Sequence, residues 1–268
     1  MKNLLIRALS GAVYVALIVL AVFANLWITT LIFSILAALT TYEFHQNTNK
    51  LENVDVNPVA PAVATFVLLW IFASKVMPQC SIHFIIYIFF CLYFFISEIF
   101  KNKANPVNNL AYIFLGQVYT AVPFIFLTAI KVDGSSIFLL AFFIFIWAND
   151  TFAYLVGITF GKHKLCERIS PKKSWEGFFG GLIGTLAVAF AVSYFAETQL
   201  NMTEWFGFAA IVVIFGILGD LLESLIKRSI GVKDSGAIMP GHGGLLDRFD
   251  SLLLAAPIIC VYLLLFIN

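Results

Sequence analysis

Residues 8–42 read ALSGAVYVALIVLAVFANLWITTLIFSILAALTTY, with no charged side chain between Arg7 and Glu43. A helix needs about 20 apolar residues to cross about 30 Å of hydrocarbon, so this run supplies two spans in succession. It is far longer than the apolar core of a secretory signal, and a cleaved leader is not expected. The character persists along the chain: of 268 residues, 61% are hydrophobic and 12% charged. Soluble domains carry about 45–50% apolar and about 25% charged residues. A water-soluble fold could not hide so much apolar surface, so the chain reads as an all-α polytopic membrane protein.

Outward from this run, the apolar pattern predicts about nine transmembrane helices, at 6–23, 27–46, 58–77, 82–99, 109–130, 136–160, 176–196, 204–224 and 250–267. Positive charge orients them. With a cytosolic N-terminus, Lys2, Arg7, Lys50, Lys101, Lys103, Lys162, Lys164, Arg168, Lys172, Lys173, Lys227, Arg228, Lys233 and Arg248 face the cytosol, and only Lys75 and Lys131 do not. All sixteen basic residues are then split as the positive-inside rule requires. The C-terminus is expected outside, and the protein in the inner (cytoplasmic) membrane. The four cysteines, Cys80, Cys91, Cys166 and Cys260, are scattered without metal-like spacing and read as free thiols.

The chain divides by character. Residues 1–135 form a transmembrane packing region with few motifs; residues 136–268 form a transmembrane catalytic region with cytosolic loops. Four polar clusters lie in that second part, at cytosolic helix ends. Asp150, Tyr154, Gly157 and Gly161 share one helix face. An acid in an apolar helix faces the bundle interior or an aqueous cavity, although a structural contact between helices would also account for it. The loop Gly161–Gly177 carries Lys162, Lys164, Arg168, Lys172 and Lys173. Its end, Ser170-Pro171-Lys172-Lys173-Ser174-Trp175-Glu176-Gly177, reads like a helix start whose amides suit a phosphate; a plain topology signal is the blander account.

The third cluster places Asp220, Glu223, Ser224 and Lys227 on one helix face, followed by Arg228. An i,i+4 pair accounts for Glu223 with Lys227. Asp220 has no such neighbour, and a metal is its expected partner. The fourth is Lys233-Asp234, Pro240-Gly241-His242-Gly243-Gly244 and Asp247-Arg248-Phe249-Asp250-Ser251. Glycines around a histidine permit unusual backbone angles and close approach to a ligand. Asp247 and Asp250 lie one turn apart, able to reach a common cation or to cap a helix. Carboxylates with water and substrate oxygens describe a magnesium site, and Lys and Arg describe phosphate recognition. The combination points to a magnesium nucleotide handled by a membrane enzyme whose other substrate is lipid.

The run Ser224-Leu225-Ile226-Lys227-Arg228, Lys233-Asp234-Ser235-Gly236, Pro240 to Gly244 and Asp247-Arg248-Phe249-Asp250 resembles the signature of phosphatidate cytidylyltransferases. The resemblance extends upstream to Ser170–Gly177 and to Asp150 with Tyr154, and so covers about 147–251. Met239 stands where that pattern has another aliphatic or aromatic residue, and Ser174 where Thr is common; both are conservative. The resemblance implies transfer of the cytidylyl group from CTP to phosphatidic acid, giving CDP-diacylglycerol and pyrophosphate at the cytosolic face. It implies metal ligation by Asp220 and Asp247, with Asp250 a further candidate, for magnesium and, if a second site exists, another cation. Lys227, Arg228, Lys233 and Arg248 are expected to hold phosphates. Asp150, Lys172, Lys173, Ser174, Ser224, Asp234, His242, Gly243 and Gly244 are expected around the substrates. Membrane lipid is the expected partner, nucleic acid is not, and a homodimer is compatible with the family although no interface is legible in the spans. Two rivals stand beside this reading: a CTP-dependent transferase or kinase acting on another lipid, and a transporter. A transporter would place its acids toward the midplane in broken helices, whereas these lie on one side.

Overall fold

The structure, a computed structural model, describes residues 2–73, 81–101, 105–133, 136–196, 200–236, 238–241 and 243–267. Its helices are α1 (Lys2–Phe23), α2 (Leu26–Thr48), α3 (Val59–Ala73), α4 (Ser81–Phe100), α5 (Pro106–Gly116), α6 (Val122–Asp133), α7 (Ser136–Phe160), α8 (Trp175–Phe195), α9 (Met202–Ile230) and α10 (Leu246–Phe266). A π-helical turn, Gln117–Ala121, joins α5 to α6 into one rod. Strands β1 (Lys164–Cys166) and β2 (Ser170–Ser174) pair antiparallel as a short hairpin. Among the described residues the fold is all-α apart from that hairpin, and the chain is a multi-pass membrane protein.

Among the described residues, seven helices are long and apolar enough to cross a membrane, and Val59–Phe72 and Phe84–Phe100 are shorter apolar helices. These nine positions match the nine expected from the sequence, with shifted ends. At about 1.5 Å per residue, the 15 residues of α3 reach about 22 Å, short of a full hydrocarbon thickness. The end of the third expected span, 74–77, lies outside the described residues. Helix α9 continues to Ile230, six residues past its expected end, and α10 starts at Leu246, four residues before its own. Charged residues at these helix ends hide the true helix length from any hydropathy reading.

The chain forms two compact units: residues 1–132 with 229–249, and residues 133–228 with 250–268. The segment 229–249 therefore packs with the N-terminal helices, which the change of character near residue 135 does not reveal. Inside the first unit, helices are joined by buried hydroxyls and amides. Thr41 Oγ1 lies 2.9 Å from Thr65 Oγ1 and 2.7 Å from Thr120 Oγ1, and Gln117 Nε2 donates to the Pro61 carbonyl at 2.9 Å. In a membrane, where helices gain little by hiding apolar surface from lipid, such bonds and close packing hold them together. The π turn places both Gln117 and Thr120 in this network.

The second unit is cored by aromatic rings. Trp205, fully buried, stacks on Phe208 at 5.6 Å and meets Phe138 and Phe145. Helices α7 and α8 pack almost backbone to backbone. A Cβ added at Gly181 would strike Asn149 Oδ1, and one at Gly184 would strike the edge of the Phe152 ring. Small residues at such spacing let spans approach closely. That approach brings the last turns of α7 to the first turn of α8, where the site lies.

Candidate active site

In the second unit a cavity of about 310 Å³ opens among α7, the hairpin, α8, α9 and α10. Asn149, Asp150, Tyr154 and Gly157 line it from α7, Lys172, Lys173 and Ser174 from β2, Asp220 from α9 and Ser251 from α10. The size suits a small polar ligand. Four residues expected around the substrates, Asp150, Lys172, Lys173 and Ser174, thus share one cavity with Asp220.

The hairpin is fixed by the start of α8. Ser174, in extended backbone, caps the helix by accepting from Gly177 N at 3.1 Å. Glu176, in the first turn, accepts from Lys162 N and His163 N, each at 3.1 Å, and meets His163 Nδ1 at 2.6 Å. An acid at this end also complements the helix dipole. The sequence expectation of a helix start over Ser170–Gly177 is corrected in its first half: Ser170–Ser174 is strand, because it pairs with Lys164–Cys166, and the helix begins at Trp175.

Asp220 has a cationic partner after all. Lys173 Nζ pairs with its Oδ2, and Ser224 Oγ donates to its Oδ1 at 3.3 Å. The inference of a metal from the missing i+3 or i+4 cation therefore loses its premise, because the cation comes from a hairpin remote in sequence. Asp250 stands close enough for the charges of Asp220, Asp150 and Lys173 to act on it. Gly219 makes this possible: any Cβ there would strike the Asp250 carbonyl. Glu223, buried, meets Lys227 at 2.5 Å, the expected i,i+4 pair, and Arg228 is exposed.

The remaining expected residues belong to the first unit. Lys233, Asp234 and Arg248 are exposed. Gly241 and Gly243 have φ of 77° and 86°, angles open to glycine, as their place in the motif anticipated. His242 between them lies outside the described residues. Met239 N donates to the Gly243 carbonyl at 3.0 Å, closing the turn. Asp247 Oδ2 accepts from Ser235 N and Gly244 N, both at 3.0 Å, while Ser235 Oγ accepts from Asp247 N at 3.2 Å. Asp247 therefore organises the glycine-rich loop.

Two residues escaped the sequence reading. Glu43 and Asn47, both buried in α2, contact this loop: Glu43 Oε2 accepts from Leu246 N at 2.9 Å, and Asn47 Nδ2 donates to the Ser235 carbonyl. The available signal was an acid in an apolar span, the same one that drew attention to Asp150. It was missed because Glu43 stands near a helix end, where an acid usually meets water.

Comparison with known proteins covers all of these elements. The chain matches the model of the cytidylyltransferase family over residues 5–266. It is 35% identical over 241 residues to the phosphatidate cytidylyltransferase of Staphylococcus aureus (strain COL), spanning 87% of this chain and 89% of that protein. To the protein of that name from Staphylococcus haemolyticus (strain JCSC1435) it is 34% identical over 243 residues, 88% of this chain and 90% of the other. For Staphylococcus epidermidis (strain ATCC 12228 / FDA PCI 1200) the figures are 31% over 260 residues, 94% and 96%. Because the match runs through the capped hairpin, the carboxylate face of α9 and the glycine-rich loop alike, the chain belongs to the cytidylyltransferase family.

Proposed function

We propose that this protein transfers the cytidylyl group from CTP to phosphatidic acid, giving CDP-diacylglycerol and pyrophosphate. The observation that carries the reading is the family match along nearly the whole chain, with relatives named phosphatidate cytidylyltransferase aligned over 87–94% of it. The cavity of the second unit supports it, since it joins two lysines, a capped helix start and carboxylates. The substrate nucleophile is a phosphate monoester, whose second pKa of about 6 leaves it largely dianionic at neutral pH. No side chain has to remove a proton from it, and His242 is not needed as a base. The difficulty is bringing one anion against another. Lys172, on the cavity wall, offers its ammonium to phosphate, and Lys173 is exchangeable between Asp220 and an incoming phosphate. Lys227, Arg228, Lys233 and Arg248 are proposed as further phosphate contacts, with Ser174, Ser224, Asp234, Gly243 and Gly244 around the substrates.

The residues present fit a divalent cation. Asp150, Asp220 and Asp250 bring three carboxylates close to Lys173, and Asp150 and Asp220 both line the cavity. No three His, Cys, Asp or Glu side chains among the described residues form a ready metal cage. A cation held by Asp220 and Asp250 would complete its shell with water and substrate oxygens, the habit of magnesium. Magnesium, when bound, supplies neutralisation of phosphate charge and alignment of the reacting groups. Asp247 is retained as a candidate ligand on the chemistry of its side chain.

The N-terminus and the active site are proposed to face the cytosol of the inner membrane, on the strength of the basic-residue asymmetry. The deciding experiment offers labelled CTP to the purified protein with phosphatidate, polyprenol and polyprenyl phosphate in parallel, with and without magnesium. Incorporation with phosphatidate alone, abolished by chelator and restored by magnesium, is expected. Preferential labelling of either polyprenyl acceptor overturns the substrate, and full activity in chelator overturns the cation.

A further inference from the structure

Glu43, in the last turns of α2, is a carboxylate with 0% exposure. Removing such a group from water is costly, and leucine would fill the span without that cost. What the carboxylate contributes is a hold on the glycine-rich loop. Its Oε2 accepts from the amide of Leu246, the first residue of α10, at 2.9 Å. The loop closes round it on two sides. A Cβ at Gly236 would strike Glu43 Oε1 and lie 2.8 Å from its Cδ, and one at Gly244 would lie 2.7 Å from Oε2. One turn along α2, Asn47 holds the Ser235 carbonyl. Asp247 grips the same backbone through Ser235 N and Gly244 N. Glu43 and Asp247 are therefore joined through three shared neighbours: Ser235–Gly236, Gly244 and the first turn of α10.

We propose that Glu43 is a positioning residue for the reaction, acting through the loop rather than on substrate. By fixing Gly236, Gly244 and Leu246 it sets where Asp247 stands at the head of α10. Gly236 is required because the Glu43 carboxyl group occupies the volume a side chain would need, and at Gly244 that volume is shared by Ser235 Oγ, Glu43 Oε2 and the Gly236 amide. This rests on the reading of 233–248 as catalytic machinery, and the tests below separate the two.

The first test measures turnover of CTP with phosphatidate. Glu43→Gln preserves length but replaces one acceptor oxygen by a donor facing backbone amides. It is expected to fold and to lose about 10- to 100-fold in kcat, the cost typical of removing a supporting hydrogen bond, with KM for CTP changed far less. Gly236→Ala is expected to lose activity on a similar scale when Glu43 is present. In the Glu43→Asp background, where the carboxyl group is withdrawn by one methylene, Gly236→Ala should cost little more. The second test is independent of activity: hydrogen exchange over 233–247 should accelerate in Glu43→Gln and not in a distant control, Thr128→Ala. Additive losses for Gly236→Ala and Glu43→Asp, or a Glu43→Gln protein with wild-type kcat and unchanged exchange, would overturn the proposal. A wild-type protein inactive on every lipid, with exchange accelerated in Glu43→Gln, would sink the functional reading and leave the hold on the loop intact.

Discussion

Glu223 and Lys227 meet at 2.5 Å, with the Glu223 side chain only 1% exposed. Such a pair behaves as a unit: removing one partner strands a buried charge, at about 3–5 kcal/mol. Lys227→Met should therefore lower stability on that scale in denaturant titrations, and Glu223→Gln in the same chain should recover much of the loss. If Lys227 acts mainly on substrate, the double variant will be stable and still inactive, so the two measurements separate its roles. Asp220 is different, being partly exposed on a cavity wall and paired with Lys173. Asp220→Asn keeps size and polarity, and its expected effect is on chemistry: a folded protein whose turnover falls by about 10²-fold or more, as when a charge aimed at a transition state is removed. Near-normal turnover at limiting magnesium would refute its part in holding the cation. Asp220 could be singled out from the sequence because an acid in an apolar helix is costly. That Lys173, itself singled out as a phosphate contact, is the partner of Asp220 could not be read, because pairing across elements leaves no spacing.

At the scale of elements, the site depends on how closely α8 approaches α7. Gly177, Gly180, Gly181 and Gly184 are met in turn by Ala153, Val156, Asn149 and Phe152. Gly184→Val would force a branched side chain into the Phe152 ring and should cost about 1–3 kcal/mol, the usual range for overpacking, seen as a lower melting temperature in detergent. Because the displaced helix carries the Ser174 cap and the hairpin, activity should fall more steeply than stability. A Gly184→Val protein with wild-type melting and turnover would show that this approach is not needed. The apolar runs announced both helices. They did not announce the hairpin, since Lys164–Cys166 is only three residues long and its pairing is decided by Glu176 and Ser174 beyond it.

For the whole molecule, the basic residues make a prediction that labelling can check. In a background with the four cysteines replaced, cysteines introduced at the exposed Arg168 and Lys233 should resist a membrane-impermeant thiol reagent in intact cells, and one at Ile267 should react. The reverse pattern would overturn the orientation and with it the supply of CTP to the site. The sequence by itself determined the membrane class, the rough places of the spans, the family and most of the polar residues that line the cavity of the second unit. Each of these is a sum or a spacing along the chain: hydropathy over a span, charge over a loop, a motif at fixed intervals. The tertiary structure alone decided that residues 229–249 join the N-terminal helices, that Lys173 answers Asp220, and that Glu43 bonds to Leu246 from 203 positions away. Buried polar groups take whichever partner the packing brings within reach, and in a membrane there is no water to offer another.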